Sequence, residues 1–213
     1  MIKDAKMKAD QFVEVVVKRL AQEPSDSIFE RQFDFLSASI NSYTPIPLRG
    51  DLNAAMFKFI YELIPKIPAA QQNRIVILKS KLPNFAHSNE HKKVLLLWKD
   101  GQDPNLKDYP MTVGQKWSAV VKAFTLPDLS LEEKEAIFEK QRAEDPSDTA
   151  ENKRFTCDAL RASEEEYEQL YNEFKNPESK HSVTVKECMA AGWNHRHHQA
   201  RLANYVDRYF DDI

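Results

Sequence analysis

The chain has 213 residues, 42% of them hydrophobic and 30% charged, and its 30 basic and 33 acidic side chains leave a formal charge of −3. That balance excludes an intrinsically disordered chain, and without surplus positive charge a nucleic acid is not an expected partner. Only 4 glycines occur, while Ala, Leu, Lys, Glu and Gln recur throughout, so the composition points to an all-α fold rather than to hairpins or phosphate-binding loops.

In chain order, helix starts are expected near Met7, Ser25, Asp51, Ala69, Ser88, Thr112, Ser130, Ser147, Ser163 and Ser182. They recur roughly every 20 residues, so a helix pair would repeat about every 40, the period of a divergent helical solenoid. Three starts carry a capping box: Thr112 with Gln115, Ser130 with Glu133, and Ser163 with Glu166. In each pair the hydroxyl and the side chain three residues on can satisfy first-turn amides. Gly101 and Gly192 are expected to close the helices that precede them, and Pro45, Pro65, Pro83, Pro127, Pro146 and Pro177 to break the pattern.

Apolar stripes at helical spacing run through Phe29, Phe33, Leu36, Ile40 and Tyr43, and through Val113, Trp117, Val120, Val121 and Phe124. Two more run through Tyr167, Leu170, Tyr171 and Phe174, and through Leu202, Tyr205, Val206, Tyr209 and Phe210. Each demands a packing partner. The polar stretch from Asp145 to Arg154 reads as a loop followed by a charged helix face, so residues 1–213 are expected to form one helical-repeat domain.

Ile75 to Leu78 and Val94 to Trp98 are too short to span a bilayer, so no membrane partner is expected. The opening Met1-Ile2-Lys3-Asp4 lacks the apolar core of a signal peptide, no Asn-x-Ser/Thr sequon occurs, and Cys157 and Cys188 read as reduced, buried thiols. A cytoplasmic location is the corresponding expectation.

The sequence contains no His-Glu-x-x-His, no glycine-rich nucleotide loop and no Gly-x-Ser-x-Gly elbow. His195, His197 and His198 could in principle gather a metal, but on a helix His197 would point away from the other two, and a structural or solvated role is expected. Cys157 beside Asp158 reads as a buried helix residue rather than a nucleophile, and Ser163-Glu164-Glu165-Glu166 as a capped, dipole-stabilised first turn. Arg74, Lys79 and Lys81 read as a solvated basic face. No catalytic, cofactor-binding or metal-ligating residue is therefore assigned.

Ser39-Ile40-Asn41-Ser42-Tyr43-Thr44-Pro45-Ile46-Pro47-Leu48-Arg49 resembles a segment in the last domain of the aminopeptidase N family of zinc aminopeptidases. The second half carries more of the likeness, in Glu144-Asp145-Pro146-Ser147, the helix around Cys157 and Ser163-Glu164-Glu165-Glu166-Tyr167. It continues in Gly192-Trp193, Gln199, Leu202 and the closing Tyr205-Val206-Asp207-Arg208-Tyr209-Phe210. The chain departs from the pattern at Ala150, where relatives often have glycine after the Asp-Pro-Ser loop.

The resemblance implies a right-handed superhelix of antiparallel helix pairs, a HEAT/armadillo-like bowl that caps the active-site chamber. It also implies that the zinc ligands belong to an upstream catalytic domain, the expected partner, and that peptide substrate meets the concave surface. The chain alone would then be inactive. The competing readings are a HEAT- or armadillo-type interaction scaffold with no enzymatic role and, less favoured, a hydrolase built on the His195 cluster.

Overall fold

The structure, a computed structural model, describes residues 8–211. Among the described residues the secondary structure is helical, with no strand: ten helices of at least eleven residues, two short closing helices and four 3-10 turns. The chain divides between Gln115 and Lys116 into two compact units, where the sequence reading draws one domain over residues 1–213.

The first unit contains α1 (Ala9–Leu20), α2 (Asp26–Tyr43), α3 (Ile46–Leu63), α4 (Gln72–Phe85) and α5 (Asn89–Lys99). Helix α2 packs against α1, α3 and α4, and α3 packs on α4. Phe29, Phe33, Leu36 and Ile40 fall on one face of α2 and are fully buried, together with Leu20, Ile60, Leu78, Leu82 and Phe85. The Phe29 and Phe33 rings meet edge to face at 5.2 Å. Tyr43 departs from its stripe and is 46% exposed, because it is the last residue of α2. Beyond it the chain turns at Thr44, which is buried and donates its hydroxyl to Ser39 O at 3.0 Å.

The second unit contains most of α6 (Val113–Ala123), followed by α7 (Leu131–Glu144), α8 (Asp148–Arg161), α9 (Glu164–Lys175) and α10 (Val183–Trp193). The short α11 (Gln199–Leu202) and α12 (Val206–Asp211) close it, each preceded by a 3-10 turn. Helix α10 lies chiefly along α8. One core joins Trp117, Val120, Phe124, Phe138, Ala150, Cys157 and Leu160, and a second joins Ala162, Tyr167, Tyr171 and Tyr205. Ala150 is a core residue in the first turn of α8, its amide bonded to Ser147 O at 2.9 Å.

Ser25, Ser88, Ser130, Ser147, Ser163 and Ser182 each cap a helix as expected, and all three capping boxes form. Gly101 follows α5 at φ +70°, a left-handed conformation that glycine adopts without steric cost. Met7 and the side chain of Tyr209 lie outside the described residues.

Four expectations are corrected. Helix α3 starts at Ile46 rather than near Asp51, because Pro47 sits in its first turn, where no amide donor is needed. Pro83 lies inside α4, in its last turn, rather than ending it. Gly192 lies inside α10 and is buried, so it caps nothing. The stripe from Leu202 to Phe210 is not one helix: α11, a 3-10 turn and α12 change the period, burying Tyr205 and leaving Val206 and Phe210 exposed.

Candidate functional site

Helices α8 and α10 of the second unit cross closely at Gly192. A side-chain carbon added at Gly192 would stand well inside contact distance of the Thr156 carbonyl oxygen and 2.8 Å from Ala159 Cβ. Only glycine permits that approach, and Thr156 ties the same place by donating Oγ1–H to Cys188 O at 3.0 Å.

Next to it, Trp193 stacks on Tyr167 at 4.8 Å with the ring planes 16° apart. The two residues exchange hydrogen bonds: Tyr167 OH donates to Trp193 O at 2.8 Å, and Trp193 Nε1–H donates to Tyr167 O at 3.1 Å. Burial pushes the Tyr167 hydroxyl up to about 12. Tyr205 packs against both rings and donates to Glu168 Oε2 at 2.8 Å, while Arg208 grips both oxygens of Glu168 at 2.7 and 2.8 Å. The hydrogen bonds from Arg208, then that from Tyr205, hold the Glu168 carboxyl down at about 2.

The Asp145-Pro146-Ser147 loop is anchored in the same unit. Trp117 Nε1–H donates to Asp145 Oδ2 at 2.6 Å, the leading cause of a lowered Asp145 carboxyl pKa, and Ser147 caps α8.

A groove of about 350 Å³ runs between α8, α9 and α10. Its lining includes the apolar Phe155, Leu170 and Met189 and the acidic Asp158, Glu166 and Glu173, whose carboxylates accept from Arg161, the Ser163 amide and Ser179. Positions 166, 169, 170 and 173 of α9 contribute one helical stripe to it.

Residues singled out in the sequence take mainly structural positions. Cys157 is fully buried, and burial pushes its thiol up to about 12, which suppresses the nucleophilic thiolate. Cys188 is a free thiol only partly buried, a correction to the expectation of two buried cysteines. Ser163 and Glu166 cap α9 reciprocally, at 3.2 Å to the Glu166 amide and 2.7 Å from the Ser163 amide.

The three histidines do not share one helix. A 3-10 turn spans Arg196–His198, His198 is buried and donates Nε2–H to Ala159 O at 3.2 Å, and His195 Nδ1 accepts from the His197 amide at 3.1 Å. Among the described residues no group of three or more His, Cys, Asp or Glu side chains could hold a metal ion.

Arg74, Lys79 and Lys81 are not a solvated face. Arg74 is 9% exposed, lies 4.9 Å over the Phe29 ring and pairs with Asp26 at 3.0 Å, while Lys81 reaches Asp34 at 2.7 Å. Lys79 donates to Pro110 O. Their stems cover apolar surface while their charged heads reach partners outside α4.

The groove and the aromatic exchange were missed in the sequence. The stripe of α9 gives its periodicity, but no local pattern reveals which residues of α8 and α10 face it. No protein-family model and no curated protein matches the chain. Among the described residues no helix is long and apolar enough to cross a membrane.

Proposed function

We propose that this chain is a non-catalytic helical domain of a cytoplasmic zinc aminopeptidase of the aminopeptidase N kind. In this reading its helix pairs stack as a superhelical bowl over a separate zinc-bearing catalytic domain. The bowl limits which peptides enter the chamber, and the distal part of a peptide lies along the groove of α8, α9 and α10. Hydrolysis of the N-terminal peptide bond belongs to the catalytic domain, where zinc would activate water.

One observation carries the reading. The strings that carry most of the resemblance, Asp145-Pro146-Ser147, Ser163 to Tyr167, Gly192-Trp193 and Tyr205, occupy close-packing and capping positions of the second unit, while Ser39 to Arg49 lies in the first. A likeness that falls on such residues supports a shared architecture rather than a shared reaction. The groove adds a surface for an extended ligand without requiring a reactive group.

The test mixes this chain with the segment encoded upstream of it and follows aminopeptidase activity on peptides of increasing length, with and without zinc. The expected result is zinc-dependent turnover that rises, and becomes selective for peptide length, when the chain is present. An upstream segment lacking a His-Glu-x-x-His site, or one whose rate and selectivity ignore the chain, overturns the proposal and favours an interaction scaffold.

A further inference from the structure

A second depression, which adjoins the groove of α8, α9 and α10 at Ala162, occupies about 310 Å³ and is lined by Lys134, Arg161, His197, His198 and Arg201, with Phe124 among its apolar contacts. Three cationic side chains from three helices, α7, α8 and α11, thus converge on one small volume, and no carboxylate is among its lining residues. Cations this close repel one another unless something negative is near.

The carboxylates that offset them hold them from elsewhere. Arg161 uses Nε and Nη2 on Asp158 Oδ1, at 3.0 and 2.8 Å, and Arg201 uses Nε on Glu164 at 2.6 Å and Nη1 on Ala162 O at 2.7 Å. Arg161 is therefore held along the edge formed by Nε and Nη2, with Nη1 outside those bonds, while Arg201 is held through Nε and Nη1 on two different edges, with Nη2 outside them. A guanidinium held this way loses little further freedom when it binds an anion. Burial pulls the Lys134 amine pKa down, against the pull of Asp128 in the other direction, as for a cation short of solvent. Buried His198 directs Nε2–H at Ala159 O, and burial lowers its pKa, so it shapes the wall rather than supplying charge.

We propose that this depression is a binding site for a compact oxyanion, a carboxylate or phosphate group carried by a small ligand, recognised by Lys134, Arg161 and Arg201. The site needs neither zinc nor a peptide in the groove, so it stands whether or not the aminopeptidase reading does.

The test is calorimetric titration of the whole chain at low ionic strength with inorganic phosphate and, separately, with citrate. Saturable binding of at least one is expected, and the tighter of the two identifies the phosphate or the carboxylate as the preferred group. Lys134→Gln should weaken binding about tenfold, the size of one charge-assisted hydrogen bond, and adding Arg161→Gln should abolish it. Lys58→Gln, which changes net charge equally at a 75% exposed side chain in the first unit, should leave it unchanged. Circular dichroism melts confirm that each variant is folded, and Lys134→Met provides a second removal of the charge should Lys134→Gln unfold. No saturable binding of either anion, or equal weakening by Lys58→Gln, overturns the assignment.

Discussion

Each unit offers a clear example of a different way to place polar groups. In the first, long cations sink their stems into the core and leave the paired carboxylate in water: the Arg74 side chain is 11% exposed against 42% for Asp26, and Lys81 is 13% exposed against 63% for Asp34. In the second, aromatic rings are buried and their polar tips bond to backbone carbonyls and to Glu168. The first arrangement follows the apolar packing, because a flexible stem finds its partner after the helices have met. The second specifies the packing, because a stacked ring with a bonded tip has few orientations open to it.

The comparison is broken most directly at the α8 and α10 crossing. Gly192→Ala gains helix propensity of up to about 1 kcal/mol, yet its new methyl meets the Thr156 backbone, which cannot swing aside as a side chain could. Net destabilisation of about 3 kcal/mol is expected, read as a lower urea midpoint, since overpacking a tight site outweighs the propensity gain. An unchanged midpoint would show that the crossing yields easily.

Arg74→Met keeps the stem and removes the charge. Its expected cost is about 2 kcal/mol, the scale of a partly buried charged hydrogen bond, with the amide-exchange protection of α2 and α4 falling and that of α8 to α10 retained. Tyr167→Phe keeps the stack and removes one half of the exchange with Trp193. A loss of about 1 kcal/mol is expected by chemical denaturation, with the reverse pattern of protection.

The smallest effect depends on acid. The folded Glu168 carboxyl releases its proton at about 2 instead of the usual 4.5. The unfolded chain therefore binds more protons in that window. The stabilisation is complete above the higher value and is lost as pH falls toward the lower. Glu168→Gln should remove this part of the acid slope in a series of thermal melts from neutral to acid pH, while leaving the slope due to other carboxylates.

Local signals recovered the helices well because caps are local chemistry: a serine oxygen reaches an amide only a few residues away, so Ser130 and Ser163 announce their helices wherever the chain folds. The same logic misread Gly192 and Arg74. A glycine after an apolar run looks the same whether it ends a helix or admits a neighbouring backbone, and the difference lies in Thr156, which is distant in sequence. Arg74 looked solvated because it groups with Lys79 and Lys81 as a basic stretch, while Phe29 and Asp26 come from another helix. The cations of α7, α8 and α11 likewise become one cluster only through packing between helices.

The Tyr167 and Trp193 pair also makes the second unit a source of its own optical signal. The protein has 3 tryptophans, and Trp98 and Trp117 are fully buried while Trp193 stands against Tyr167, Tyr171 and Tyr205 at 4.8 to 5.8 Å. Light absorbed by those tyrosines passes to the indole over so short a distance. With Trp98 and Trp117 replaced by phenylalanine, the return of tyrosine emission would mark the moment this seam opens, separately from the melting of the rest of the chain.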